Sequence, residues 1–216
     1  MWEKSGQAIK SHNNWHLALM YLENLDLDKA FSFTNDTILK ETPHLVIQQL
    51  DAISLLWRLE MGGFEVPHTL WKKIGNEIVE NSMQNYIGFN SAHYIYALGR
   101  ASLESELNEA LIVARSFSGK ISGDEQKVWD EVSLPLLISS ASIAKGDYKS
   151  AGDIMGPIIN RINMVGGSDA QVDLFRQAYL LSCIKSGKKD ESQRYLNVLS
   201  TSENYTPLQE YWKSLI

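Results

Sequence analysis

Apolar residues in this chain recur in stripes at a nearly constant interval. Ala52/Leu55/Leu56/Leu59, Tyr94/Ala97/Leu98/Ala101 and Leu134/Leu137/Ile138/Ala141 each occupy i, i+3, i+4 and i+7, the spacing that lines up side chains on one buried face of an α-helix. Leu174/Ala178/Leu181 repeats the stripe with Gln177 in one slot. The first members stand at 52, 94, 134 and 174, so one helical unit is repeated about every 40 residues.

A second marker runs in phase with the first. A short turn followed by a small or apolar residue places Ala30, Leu70, Ala110, Ala151 and Ser192 at intervals of 40 or 41, which implies five units. In Lys145-Gly146-Asp147-Tyr148-Lys149-Ser150-Ala151, Gly146 supplies the left-handed conformation that ends one helix and Asp147 caps the next. Leu25-Asp26-Leu27-Asp28-Lys29-Ala30 and Ser186-Gly187-Lys188-Lys189-Asp190-Glu191-Ser192 fill the same slots. This is the turn of a tetratricopeptide-like hairpin, with a period longer than the usual 34 residues. The expected fold is all-α, a TPR-like right-handed superhelix (α-solenoid) of about five hairpins and ten main helices forming a single domain over 1–216. Pro43, Gly119 to Gly123, Val165 to Ser168 and Pro207 mark junctions between hairpins. Ser168 and Gln171 form a capping box there, and Gly166-Gly167 lacks the Lys or Arg of a phosphate-binding loop.

At 216 residues and 44% hydrophobic content, the chain can bury a core and is not disordered. Its net charge of −6 is the wrong sign for gripping a phosphate backbone, so nucleic acid is not an expected partner. The most apolar segment, Val132 to Ala144, is broken by serines and a proline and is too short to span a bilayer. Cys183 is the lone cysteine and is expected to be buried and inert. The opening residues lack the apolar stretch of a secretory signal, so a reducing, cytoplasmic location is expected.

Several of these stretches resemble the tetratricopeptide repeat protein 38 family. The likeness is carried by His12-Asn13-Asn14-Trp15-His16-Leu17-Ala18-Leu19, Asp51-Ala52, Ser54-Leu55-Leu56-Trp57-Arg58-Leu59-Glu60, Phe89-Asn90 with His93, Leu134-Pro135, Gly146-Asp147-Tyr148, and Gly166-Gly167-Ser168 with Ala170-Gln171 and Asp173. Ser91 and Val172 depart from the family pattern, in which Asp and Arg are usual. The resemblance implies a helical repeat fold and carries no settled activity. Because members are usually about twice as long, it also implies that this chain corresponds to their C-terminal half.

Polar residues of these motifs share one phase. His12, Asp51, His93 and Asp173 each precede the marker of their unit by 17 to 19 residues, near the start of the first helix of a hairpin. First helices line the concave surface of stacked hairpins, so His12, Asn13, His16, Asp51, Asn90, His93 and Asp173 are expected to form a polar row along a groove. His12 and His16, one turn apart, together with Asp51 could supply two imidazoles and a carboxylate to a metal. The competing reading is that they satisfy backbone and side-chain partners, and no metal is assigned. His16 is expected to be structural, lying deeper under the hairpin turn than His12. Metalloprotease, nucleophile-elbow and dinucleotide signatures are absent.

These readings favour a non-enzymatic scaffold holding a peptide or protein in its concave groove. The alternative is an enzyme acting on a small molecule through the His/Asp/Asn cluster, with or without a metal. An apolar N-terminal flank around Trp2, Ala8, Ile9 and Trp15 calls for cover by a second copy or an N-terminal partner, and Trp212 marks a second surface that something covers.

Overall fold

The computed structural model describes residues 6–40, 43–200 and 204–216, apart from the side chains of residues 7 and 8. Trp2 and the Ala8 side chain of the expected flank lie outside the described residues. Among the described residues there is no strand. The chain forms α1 (Gln7–Glu23), α2 (Leu27–Thr37), α3 (Val46–Met61), α4 (His68–Ser82), α5 (Gly88–Arg100), α6 (Glu104–Phe117), α7 (Gly123–Val128), α8 (Leu134–Ala144), α9 (Tyr148–Met155), α10 (Asp169–Lys185), α11 (Lys189–Leu199) and α12 (Pro207–Ser214).

Five pairs, α1/α2, α3/α4, α5/α6, α8/α9 and α10/α11, are joined by the same turn. In each, one residue takes a left-handed φ: Leu25 (56°), Gly63 (96°), Ser102 (58°), Gly146 (79°) and Gly187 (74°). The N–H of the next residue then reaches back five positions, from Asp26 to Tyr21, Phe64 to Leu59, Leu103 to Leu98, Asp147 to Ser142 and Lys188 to Cys183, at 2.9 to 3.1 Å. This closure satisfies carbonyls that the helix end leaves orphaned. Asp147 then caps α9 by accepting from the Ser150 N–H at 3.0 Å.

Five residues after the left-handed position, Ala30, Leu107, Ala151 and Ser192 are all fully buried, where the second helix crosses the first. In the second unit α4 begins three residues later than this pattern, after Glu65-Val66-Pro67, and Trp71 (0% exposed) takes the slot. The expected markers Leu70 and Ala110 are therefore displaced. Leu70 is half-buried beside Trp71, and Ala110 lies one turn beyond Leu107 on the same buried face. The inserted residues shift the true slot without disturbing the apparent period.

Between α7 and α8 the backbone is π-helical over Trp129–Ser133. Pro135 has no N–H to give to the carbonyl four residues back and its ring crowds that carbonyl, which a widened turn relieves. The widened turn aims Trp129 inward, where its indole N–H donates to the Ala114 carbonyl at 3.0 Å.

The array curls until its last units touch its first. α10 packs on α3, and α12 packs on α1 and α11. Trp212, 2% exposed, donates its indole N–H to the Met61 carbonyl at 3.0 Å. Thr206 donates to Glu23 at 2.9 Å. The surface that Trp212 marks is thus covered by the chain itself, and α12 shields part of the N-terminal hairpin, where Trp15 is 1% exposed. Ile9 remains 58% exposed. Inside the curl, Trp57 stacks on Tyr96 with centroids 3.7 Å apart, Phe175 and His93 pack edge-on against Trp57, and Phe89 packs on Phe175 and His93 in turn. The inner face is therefore filled by aromatic packing along α3, α5 and α10, and the groove expected there is closed at these units.

No helix among the described residues is long and apolar enough to cross a membrane.

Candidate functional site

The stripe that buries α1 against α3 brings His12 beside Asp51. Their separation of 39 residues is one repeat, so equivalent turns of adjacent first helices meet. His12 Nδ1 lies 3.1 Å from Asp51 Oδ1. Its ring stacks on Trp15, with centroids 5.3 Å apart and planes within 7°. Asp51 is 2% exposed, and its Oδ2 has no hydrogen-bond partner. Burial pushes its carboxyl up to about 6, against the opposing hydrogen bond and charge of His12. One turn along, Trp15 donates its indole N–H to Ser54 Oγ at 3.2 Å, and Arg58 donates to the same oxygen. Arg58 lies over the Trp15 ring and donates to the Ala170 carbonyl at 2.9 Å. Burial pulls its pKa down to about 10, with Asp173 and Glu23 opposing, so it stays charged at neutral pH.

The remaining residues of the expected row do not join this pair into one site. His16 is exposed, not sheltered under the turn. It makes edge contacts with His12 and Trp15. Desolvation of its ring, followed by the neighbouring His12, lowers its pKa. His93 is fully buried in the aromatic core, with Nδ1 2.8 Å from the Phe89 carbonyl and Nε2 unpartnered. Burial depresses it to about 3, so it is neutral. Asp173 accepts from Gln177 at 2.7 Å. Asn13 and Asn90 are half-buried. Among the described residues no group of three or more His, Cys, Asp or Glu is placed to hold a metal ion, and the proposed set of His12, His16 and Asp51 does not converge.

A carboxylate backing one imidazole nitrogen while the ring stays partly open to solvent is an acid–base arrangement. The Ser54 oxygen is engaged by Trp15 and Arg58, and Cys183 is buried with its thiol pushed up by desolvation. The glycines before α10 serve packing. A Cβ on Gly167 would fall 2.9 Å from the Phe89 ring.

Two features escaped the sequence reading. Glu60 accepts from Trp71 (2.9 Å), Tyr96 (2.6 Å) and Arg100 (2.6 Å), locking units two and three together beside a cavity of about 400 Å³ at the hairpin turns. Its signal was available, since Glu60 and Arg100 are opposite charges one period apart. The second is a groove of about 330 Å³ where the connection before α5, the helix α7 with the π-helical turn after it, and the connection before α10 meet, with Tyr86, Ile87, Val128, Trp129, Met164 and Val165 in its walls and Asp124 and Glu125 on its rim. Tyr86 (69%), Ile87 (43%) and Met164 (51%) are exposed. Its residues share no periodicity, so no pattern announced it.

No protein-family model matches this chain, and no solved structure matches it.

Proposed function

We propose that this protein is a non-enzymatic binding module of the tetratricopeptide type, a compact right-handed superhelix of five hairpins that holds a peptide segment of a protein partner. The fold part of this reading is supported by five hairpin turns closed by the same backbone bond, and kinship with the tetratricopeptide repeat protein 38 family is proposed with it. The seat is moved from the filled inner face to the groove between Ile87, Val128 and Met164. The observation that carries it is the pairing of a solvent-facing apolar wall with an acidic rim at Asp124 and Glu125. A segment with one aromatic or aliphatic anchor flanked by Lys or Arg complements both. The setting proposed is cytoplasmic, and α1's outer face, with Ile9 and Met20 exposed, is the proposed contact for a second copy or an N-terminal partner.

Selection from a displayed peptide library tests the seat. Enriched peptides should carry an apolar anchor next to basic residues and should lose binding to Ile87→Asp. Peptides that bind Ile87→Asp as tightly as the native protein overturn it.

The alternative reading is an enzyme using His12 as a general base backed by Asp51. The specific observation in its favour is the 3.1 Å contact to a buried carboxylate. Loss of a measured turnover in His12→Ala, with stability retained, would favour it.

A further inference from the structure

A separate cavity of about 400 Å³ opens between α1, the end of α2 and the start of α3. Lys10, Ser11 and Asn14 enter it from α1, Lys40 from beyond α2, and His44 and Gln48 from the entry to α3. Among the described residues no carboxylate lines it, although the chain as a whole is acidic. Neither Lys10 nor Lys40 is engaged in an ion pair among the described residues. Two cations thus flank one cavity with no counter-charge among the described residues.

Three further details point to an anion. Ser11 is 7% exposed and its hydroxyl has no hydrogen-bond partner. An orphaned buried hydroxyl is costly unless something takes it up. Gln48 uses Oε1 to accept the Leu45 N–H at 3.3 Å, which leaves its amide N–H groups as free donors. Finally, Leu45 is the cap residue of α3 and gives no side-chain cap to its first turn. Leucine has no side-chain acceptor, so the first turn of this 16-residue helix, whose Leu45 and Gln48 line the cavity, has no side-chain cap. Helix N-termini of this kind favour oxyanions.

We infer that this cavity binds a phosphorylated small molecule, with Lys10 and Lys40 facing the phosphate and Ser11 donating to it. The two lysines match the near-dianionic charge of a phosphomonoester, and the volume suits a small ligand. The inference is independent of the peptide groove, which lies on other elements.

Calorimetric titration of the full chain with inorganic phosphate and with glycerol 3-phosphate, against chloride at matched ionic strength, tests it. One-to-one saturable binding of both phosphates is expected. Lys10→Gln/Lys40→Gln should weaken it at least tenfold, and Ser11→Ala severalfold, with circular dichroism unchanged. Both lysines are exposed; if the double variant fails to fold, each single variant must still weaken binding. Heats equal to those of chloride, or native affinity in the lysine variants, overturn the inference. Citrate binding as tightly as phosphate overturns the phosphate assignment.

Discussion

His12 and Asp51 lie one repeat apart in sequence and 3.1 Å apart in space, with Asp51 sealed from solvent behind the imidazole. The contact ties α1 to α3, and the other carboxylate oxygen of Asp51 has no hydrogen-bond partner. That use of the pair as a tie has consequences for stability that an acid–base role does not.

Asp51→Asn should stabilise the protein at pH 7.5. Burial pushes the carboxyl from its ordinary 3.8 up to about 6 in the folded chain, so the folded state takes up its proton first as pH falls. The native protein therefore gains stability as pH drops from above 6 toward 4, and loses it as pH rises back through 6. Asparagine keeps an acceptor for His12 and removes the ionisation, worth on the order of 2 kcal/mol at neutral pH. Urea unfolding should show Asp51→Asn ahead at pH 7.5 and the difference closing near pH 4. A variant less stable than the native chain at pH 7.5 would mean that the contact with His12 outweighs the cost of burying the ionised carboxyl.

Ser102→Gly should raise stability by roughly 1 kcal/mol. Ser102 ends its helix at φ 58°, where an L-residue is penalised and glycine is not. The side chain is exposed and makes one contact at 3.3 Å, to the exposed His68, so little packing is lost. The opposite sign is expected for Gly146→Ala. A thermal melt showing Ser102→Gly less stable than the native chain would place the turn elsewhere.

Much of the fold was legible because it is local. The helix stripes depend only on 3.6-residue periodicity, and Gly146-Asp147 carries its own turn and cap. Neighbouring units were legible too, since residues one period apart, such as His12 and Asp51 or Glu60 and Arg100, meet. Curvature was not. It accumulates from small rotations at each unit, so the approach of α10 to α3, and of Trp212 to Met61 across 151 positions, leaves no trace in any window of the sequence. For that reason the expected concave row became partly buried packing, with His93 in the core and His16 outside it. The apolar groove was illegible for a second reason, being built from α7 and two connections that share no repeat position.

Trp212→Ala should cost about 3 to 5 kcal/mol, the usual range for deleting a buried tryptophan, because α12 closes the curl through this side chain. Trp212→Phe, which keeps most of the burial and loses the bond to the Met61 carbonyl, should cost nearer 1 kcal/mol. Denaturant unfolding followed by circular dichroism measures both. A loss below 1 kcal/mol for Trp212→Ala would mean that α12 is an appendage and not a closure.

Under the proposed function, partner binding belongs to the groove at Met164 and Ile87, and the His12–Asp51 pair is a structural tie. The most direct measurement is the affinity of one library-selected peptide for the native chain, Met164→Asp and His12→Ala, each checked for native circular dichroism. Met164→Asp should lose at least tenfold, since a carboxylate at a desolvated apolar contact is strongly unfavourable, and His12→Ala should bind as the native chain does. Retained affinity in Met164→Asp together with loss in His12→Ala would contradict the claim and return the site to the inner face.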